Sequence, residues 1–282
     1  MPNTARNIFQ TKRERARVLL PESPEPFQQS PSPTLRVRIT EKLRALRGKN
    51  KAHLVRGEDG RYFVQKFHSV DDTTFLFNEA LGCQLAHGLG LSVPAWAELI
   101  EEETPRTDGG TARQQKSSFG SAVVAGDIFE ILPGGWYCNV ENLQEAYRWL
   151  LFDLWCNHAD SRQAVFQVRS ERNFRLYFVD HDQMFSPDDR APLTKKIARA
   201  RYLDARIYRG YSDAVMHDLR QFANRIRGFD KSAIHGLANT LPDTWGSRSH
   251  RERTLSALTD RSVRLNSYLE AIAGFGQGIS AA

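Results

Sequence analysis

Trp155–Phe166 reads WCNHADSRQAVF and, after a short charged stretch, Leu176–Phe185 reads LYFVDHDQMF. A helix-like run ends in His158-Ala159-Asp160, and an apolar, strand-like run ends in Asp180-His181-Asp182. Each acidic cluster closes an apolar element, and the chain between them spans one β-hairpin. Two such clusters can converge on a divalent cation and the phosphates it carries, because hard cations take carboxylate oxygens. Such a site also needs a basic side chain for the phosphates, a carboxylate to fix that side chain, and a connector to lie over them.

A chain of 282 residues has room for one large domain or two lobes around a cleft. With 40% hydrophobic and 26% charged residues it has an ordinary soluble composition, which argues against a disordered chain. No apolar run approaches the roughly 20 residues that cross a bilayer, and the basic N-terminus lacks the apolar core of a secretory signal. No membrane partner is expected. Cys83, Cys138 and Cys156 are odd in number and lack metal-ligand spacing, so they read as free thiols in a reducing, cytoplasmic compartment. The net charge of +6 suits an anionic ligand or a weak attraction to nucleic acid. Residues 1–33 read as a flexible segment: Lys12–Arg17 is mostly basic, and Pro21, Pro24, Pro26, Pro31 and Pro33 interrupt any regular element. A tail is the default reading; its functional alternative is an arm in weak contact with nucleic acid.

From Leu35 the pattern changes. Leu35, Val37 and Ile39 alternate with arginines, as in a half-buried strand. Two further strands flank Glu58-Asp59-Gly60, and an Asp-Gly pair between apolar runs signals a hairpin. Ahead of them, Gly48–His53 forms a basic connector able to lay Lys49, Lys51 and His53 against phosphate oxygens. Lys66 sits between apolar strand residues, so its charge must be exposed or paired. The following segment is helical, with Phe75, Leu76, Ala80, Cys83 and Ala86 as an apolar stripe. Glu79 lies on or beside that stripe, and Lys66 is its nearest candidate partner. Residues 101–118 read as a polar loop, followed by a short strand from Phe119. Lobe boundaries fall at 34–125 and 126–275, leaving 276–282 as a frayed tail. In the second lobe an amphipathic helix runs from Glu141 to His158, then Gln167–Leu176 is turn-like, and the clearer later helices are Asp213–Phe229 and Arg251–Ile272.

Taken in order, these segments resemble the HipA-like kinases, bacterial relatives of the HipA toxin kinase. The resemblance rests on AHLVRGEDGRYFVQKF around Lys66, NEALGCQLAHGLGLSVP around Glu79, and FGS at Phe119–Ser121. FDLWCNHADSRQAVF with Asp160, FVDHDQMF with Asp180 and the late LPDTW complete it. It implies an α+β, two-lobed protein-kinase-like fold, with a small antiparallel-sheet lobe and a mainly helical C-terminal lobe, shared with phosphatidylinositol kinases. It further implies ATP and Mg2+ as cofactors and a hydroxyl-bearing acceptor, either a protein Ser/Thr or a small molecule. Residue by residue, Lys66 would hold the α- and β-phosphates with Glu79 orienting it. Asp160 would accept the proton of the attacking hydroxyl, Asp180 would bind magnesium, and Lys49–His53 would lie over the phosphates.

The chain departs from the kinase pattern in places. No asparagine stands in Ser161–Val165, the few residues after Asp160, and Gln163 offers an amide oxygen to the metal instead. Asp182 reads as an additional candidate metal ligand. His158 and His181 read as packed histidines, and Arg162 reads equally as a carboxylate partner or a phosphate contact. Two other functions stand beside the kinase: a metal-dependent hydrolase built on His158, Asp160, His181 and Asp182, and a nucleotide-binding pseudokinase. The hydrolase leaves Lys66 and Glu79 without a task.

Overall fold

The computed structural model describes residues 35–46, 52–67, 73–102, 115–124, 128–129, 132, 134–171, 173–202 and 204–280. Lys49, Lys51, the segment 1–33 and the lobe boundary at 125 lie outside the described residues.

The first lobe is a closed barrel of five strands in the order β1-β2-β3-β5-β4. These are β1 (Arg36–Ala45), β2 (Ala52–Gly57), β3 (Tyr62–Lys66), β4 (Trp96–Glu102) and β5 (Gln115–Ala122). Strands β1 and β4 close the barrel in parallel, and the other pairs are antiparallel. Gly60 makes the β2–β3 turn with φ of 80°, a conformation that costs glycine little. Val37, Val55, Phe63, Ala97 and Leu99 fill the barrel. The polar stretch expected as a loop at 101–118 begins and ends as strand: β4 runs through Glu102, and β5 starts at Gln115. Its charges are paired across strands, with Lys42 Nζ 2.5 Å from Glu101, so no apolar alternation marks it.

Helix α1 (Thr74–Gly88) follows the hairpin. The expected single stripe is too narrow, because Leu76–Cys83, Leu85 and Ala86 are all buried and Phe75 only half-buried. Helix α1 packs both on β5 of the barrel and on the helical segment Lys231–Asn239 of the second lobe.

The second lobe is built on α2 (Glu145–Cys156) and on the sheet β6 (Ile128–Phe129), β7 (Gln163–Val168) and β8 (Phe174–Val179). Helix α2 starts later than the expected Glu141 and ends before His158, at Asn157 in the left-handed conformation. Only Arg148 along α2 keeps partial exposure. Register from Gln163↔Val179 to Val168↔Phe174 extends the hairpin into the stretch read as a turn. Then come α3 (Leu193–Ala200), α4 (Asp213–Gly228), α5 (Lys231–Asn239), α6 (Arg248–Ser262) and α7 (Leu265–Ser280). Ser212, Asp230 and Ser247 accept hydrogen bonds from the first turns of α4, α5 and α6. The single helix expected over Arg251–Ile272 is two, broken at Val263–Arg264, and the glycine-rich end is helical as far as Ser280. One apolar core runs through α1, α2, the β7–β8 hairpin and the later helices.

Candidate active site

Lys66 ends β3, and its side chain enters the space between the lobes. Its Nζ donates to Glu79 Oε1 on α1 and to Asp180 Oδ1 beyond β8, the latter at 2.6 Å. The other Glu79 oxygen accepts the His181 backbone N–H at 3.0 Å and lies 3.5 Å from His181 Nδ1. Burial alone would lower the Lys66 pKa, but Glu79 and then Asp180 outweigh it and hold the ammonium well above its ordinary value. Burial would likewise raise Glu79, yet Lys66 and then His181 hold it far below the usual carboxylate range. The bland alternative for Lys66, a solvated strand face, is therefore wrong: its side chain is 14% exposed.

The two acidic loops are stitched together. Ala159 N donates to Gln183 O at 3.0 Å and Phe185 N to Cys156 O at 2.8 Å. Asn157, Asp180 and Phe185, with φ of 52°, 67° and 60°, are the non-glycine residues of positive φ among the described residues. All lie in this stretch, and such conformations cost about 1–3 kcal/mol each and persist where the surroundings enforce them. Part of that enforcement comes from Asn78, one residue before Glu79, whose Nδ2 donates to Asp182 O at 3.0 Å and Met184 O at 2.8 Å. Gly82 is needed where α1 meets the loop, since a Cβ there would stand 2.7 Å from Met184 Sδ and 2.9 Å from His181 Cβ.

Arg162 is wholly buried and pairs through Nε and Nη2 with the equally buried Asp153 of α2. Its Nη1 donates to Val179 O at 3.2 Å and Asp180 O at 3.1 Å, and its guanidinium lies 5.0 Å from the Trp149 ring. Of its two expected readings, the carboxylate partner is the observed one.

Gln163 Nε2 donates to Asp180 Oδ2, so Gln163 and Lys66 hold opposite oxygens of Asp180. Asp182 is mostly buried, and burial, then the charge of Asp180, raise its carboxyl to about 6. Asp160 is exposed, with Oδ1 accepting the Ser161 N–H at 2.7 Å. His53 pairs with Gln65 across the hairpin, so by strand alternation it faces away from Lys66, and its ring stacks on Phe67 at 4.7 Å. Ala52 and Phe119 are the residues opposite Lys66 on the neighbouring strands. His158 is buried, and burial followed by the charge of Arg162 pushes its pKa well down.

Carboxylate oxygens of Glu79, Asp180 and Asp182 lie within 4.8 Å of one another, a hard-ligand set suited to magnesium. Among the described residues no such group joins His158, Asp160, His181 and Asp182, so the ligand set of a hydrolase does not assemble. Asp153 and Asn78 escaped the sequence reading. Asp153 carries a legible signal, a charge inside the apolar run Leu150–Trp155; Asn78 carries none.

A barrel lobe and a helical lobe, bridged where a lysine–glutamate pair meets a metal-competent aspartate, define a kinase fold. Residues 37–272 match the HipA-like kinases, and the chain belongs to that family. Among solved structures it is similar to the proinflammatory kinase CtkA of Helicobacter pylori, at 15% identity over 86% of this chain and 98% of that one, with a TM-score of 0.52. It is also similar to the Golgi casein kinase with Mn/ADP bound, at 12% identity over 87% of this chain and 74% of that one, TM-score 0.49. No curated protein matches it. No helix among the described residues is long and apolar enough to cross a membrane.

Proposed function

We propose that the chain transfers the γ-phosphate of ATP to a hydroxyl, on a protein Ser/Thr or a small molecule, in the presence of Mg2+. The observation that carries this reading is the meeting of Lys66, Glu79 and Asp180, drawn from a strand, a helix and a loop. Phosphoryl transfer asks a protein mainly for position and charge neutralisation. Lys66, kept charged and fixed by Glu79, contacts the α- and β-phosphates. Asp180 is the principal metal ligand, with Asp182 and the Gln163 amide beside it. A magnesium ion held by these residues would supply positive charge against the phosphates of the nucleotide. Asp160, exposed and with one carboxylate oxygen on the Ser161 N–H, receives the proton of the attacking hydroxyl through the other. Lys49 and Lys51, which precede β2 in the sequence, would add positive charge for the phosphates.

Incubation with ATP and Mg2+, followed by mass spectrometry for phosphate on the protein's own residues or in added acceptors, tests this. Transfer by the native chain and its loss in Asp160→Asn support the kinase. Tight, metal-dependent nucleotide binding without transfer to any acceptor leaves the pseudokinase reading instead.

A further inference from the structure

The Arg162–Asp153 pair calls for an explanation other than stability. A wholly buried ion pair is costly to desolvate, and replacing one with apolar side chains of similar volume is often neutral or favourable. Its position offers a different use. Arg162 lies between Asp160 and Gln163 in the chain, so the backbone that presents the proposed base and an amide ligand is fixed at that point. The same guanidinium donates to the carbonyls of Val179 and Asp180, the latter in a left-handed conformation. Asp153 fixes the guanidinium from α2, and the Trp149 ring supports it.

We infer that Arg162 is a positioning residue that locks Asp180 to the loop of Asp160, setting the geometry of the metal site from beneath. It rests on the proposed reading for its catalytic consequence but not for the lock itself. A planar fork can hold Asp153 with two nitrogens while a third reaches two carbonyls; an ammonium, with no rigid plane, cannot hold all of them at once. Without the donor, the Asp180 carbonyl keeps the His158 ring as a partner but loses its tie to the loop of Asp160 through Arg162, and the carboxylate is left to Lys66 and Gln163.

The test uses the full chain with Arg162→Met/Asp153→Leu, which removes the pair without stranding either charge, and Arg162→Lys as a second variant. Hydrogen exchange reads whether the segment after Asp180 stays seated, through the His181 N–H that Glu79 accepts. The His181 amide, one residue beyond Asp180, should exchange at least about tenfold faster in the double variant while α4 amides keep their rates. Mn2+ titration by electron paramagnetic resonance in the presence of ADP reads the consequence: affinity should fall about tenfold or more, with a smaller fall for Arg162→Lys. Unchanged His181 exchange in a folded double variant overturns the lock, whatever the metal does. Faster exchange with unchanged Mn2+ affinity overturns its role in metal positioning. If the native chain binds no Mn2+ with ADP, the nucleotide reading fails, and the exchange measurement still decides the lock. Should the double variant fail to fold, the same two measurements on Arg162→Lys decide by the same criteria.

Discussion

Lys66 and Asp180 stand 114 positions apart in the chain, and their charged atoms meet at 2.6 Å. Glu79 shares the same ammonium, so one cation serves two carboxylates on two different lobes.

Replacing Lys66 by Met should abolish this arrangement and strand Glu79. Loss of a partner from a buried pair costs about 3–5 kcal/mol of stability, read by thermal or denaturant unfolding. The pH dependence should also change sign. In the native chain the Glu79 pKa is depressed, so its stabilisation is present above the ordinary value of 4.5 and lost as pH falls through the folded value. With Lys66→Met burial dominates and the folded pKa lies above the ordinary one, so stability should rise as pH falls from about 7 towards about 5. A flat or falling profile in the variant contradicts the pairing. Phosphate transfer should drop about 100- to 1,000-fold, as when a single preorganised charge contact is removed.

Asp182 should give metal binding its own pH step. Its carboxyl titrates near 6, so it is neutral below that value and anionic above. Metal affinity should therefore increase as pH rises through about 6, and Asp182→Asn should flatten the step. Its effect on stability runs the other way: a raised folded pKa means that stability declines as pH climbs from the ordinary 3.8 to about 6. Metal titrations at several pH values, in both proteins, check the first statement.

Gln163→Ala should raise the metal concentration for half-maximal transfer several-fold while leaving the nucleotide KM within about twofold, because one neutral amide is lost beside Asp180. An unchanged metal requirement would remove Gln163 from the ligand set.

Gly82→Ala should destabilise the protein by about 1–3 kcal/mol through overpacking against Met184 and His181. Differential scanning calorimetry checks it, and activity should fall more than stability does, because the displaced atoms belong to the Asp180 loop.

The sequence made the fold and most of this constellation readable, because each element carries a local mark. The Asp-Gly turn set the β2–β3 hairpin, and the acidic clusters closed apolar runs. Boundaries were harder where burial is all-round. On α1 and α2 nearly every side faces protein, so periodicity could not say which way Asp153 points or where His158 leaves the helix. The break between α6 and α7 was invisible because apolar spacing continues across Val263. His53, read as the end of the connector over the phosphates, is the second residue of β2, where the register countable from the Asp-Gly turn sets it opposite Gln65.

Helix α1, which carries Glu79, shares its core with the lobe beneath it. Kinases that are turned on by swinging the glutamate-bearing helix need that helix to leave its seat at small cost. Here a swing would expose Leu76, Phe77, Leu81 and Leu85, at about 1.5–3 kcal/mol apiece, and would tear Asn78 from the metal loop. The lysine–glutamate contact is thus a fixture rather than a lever.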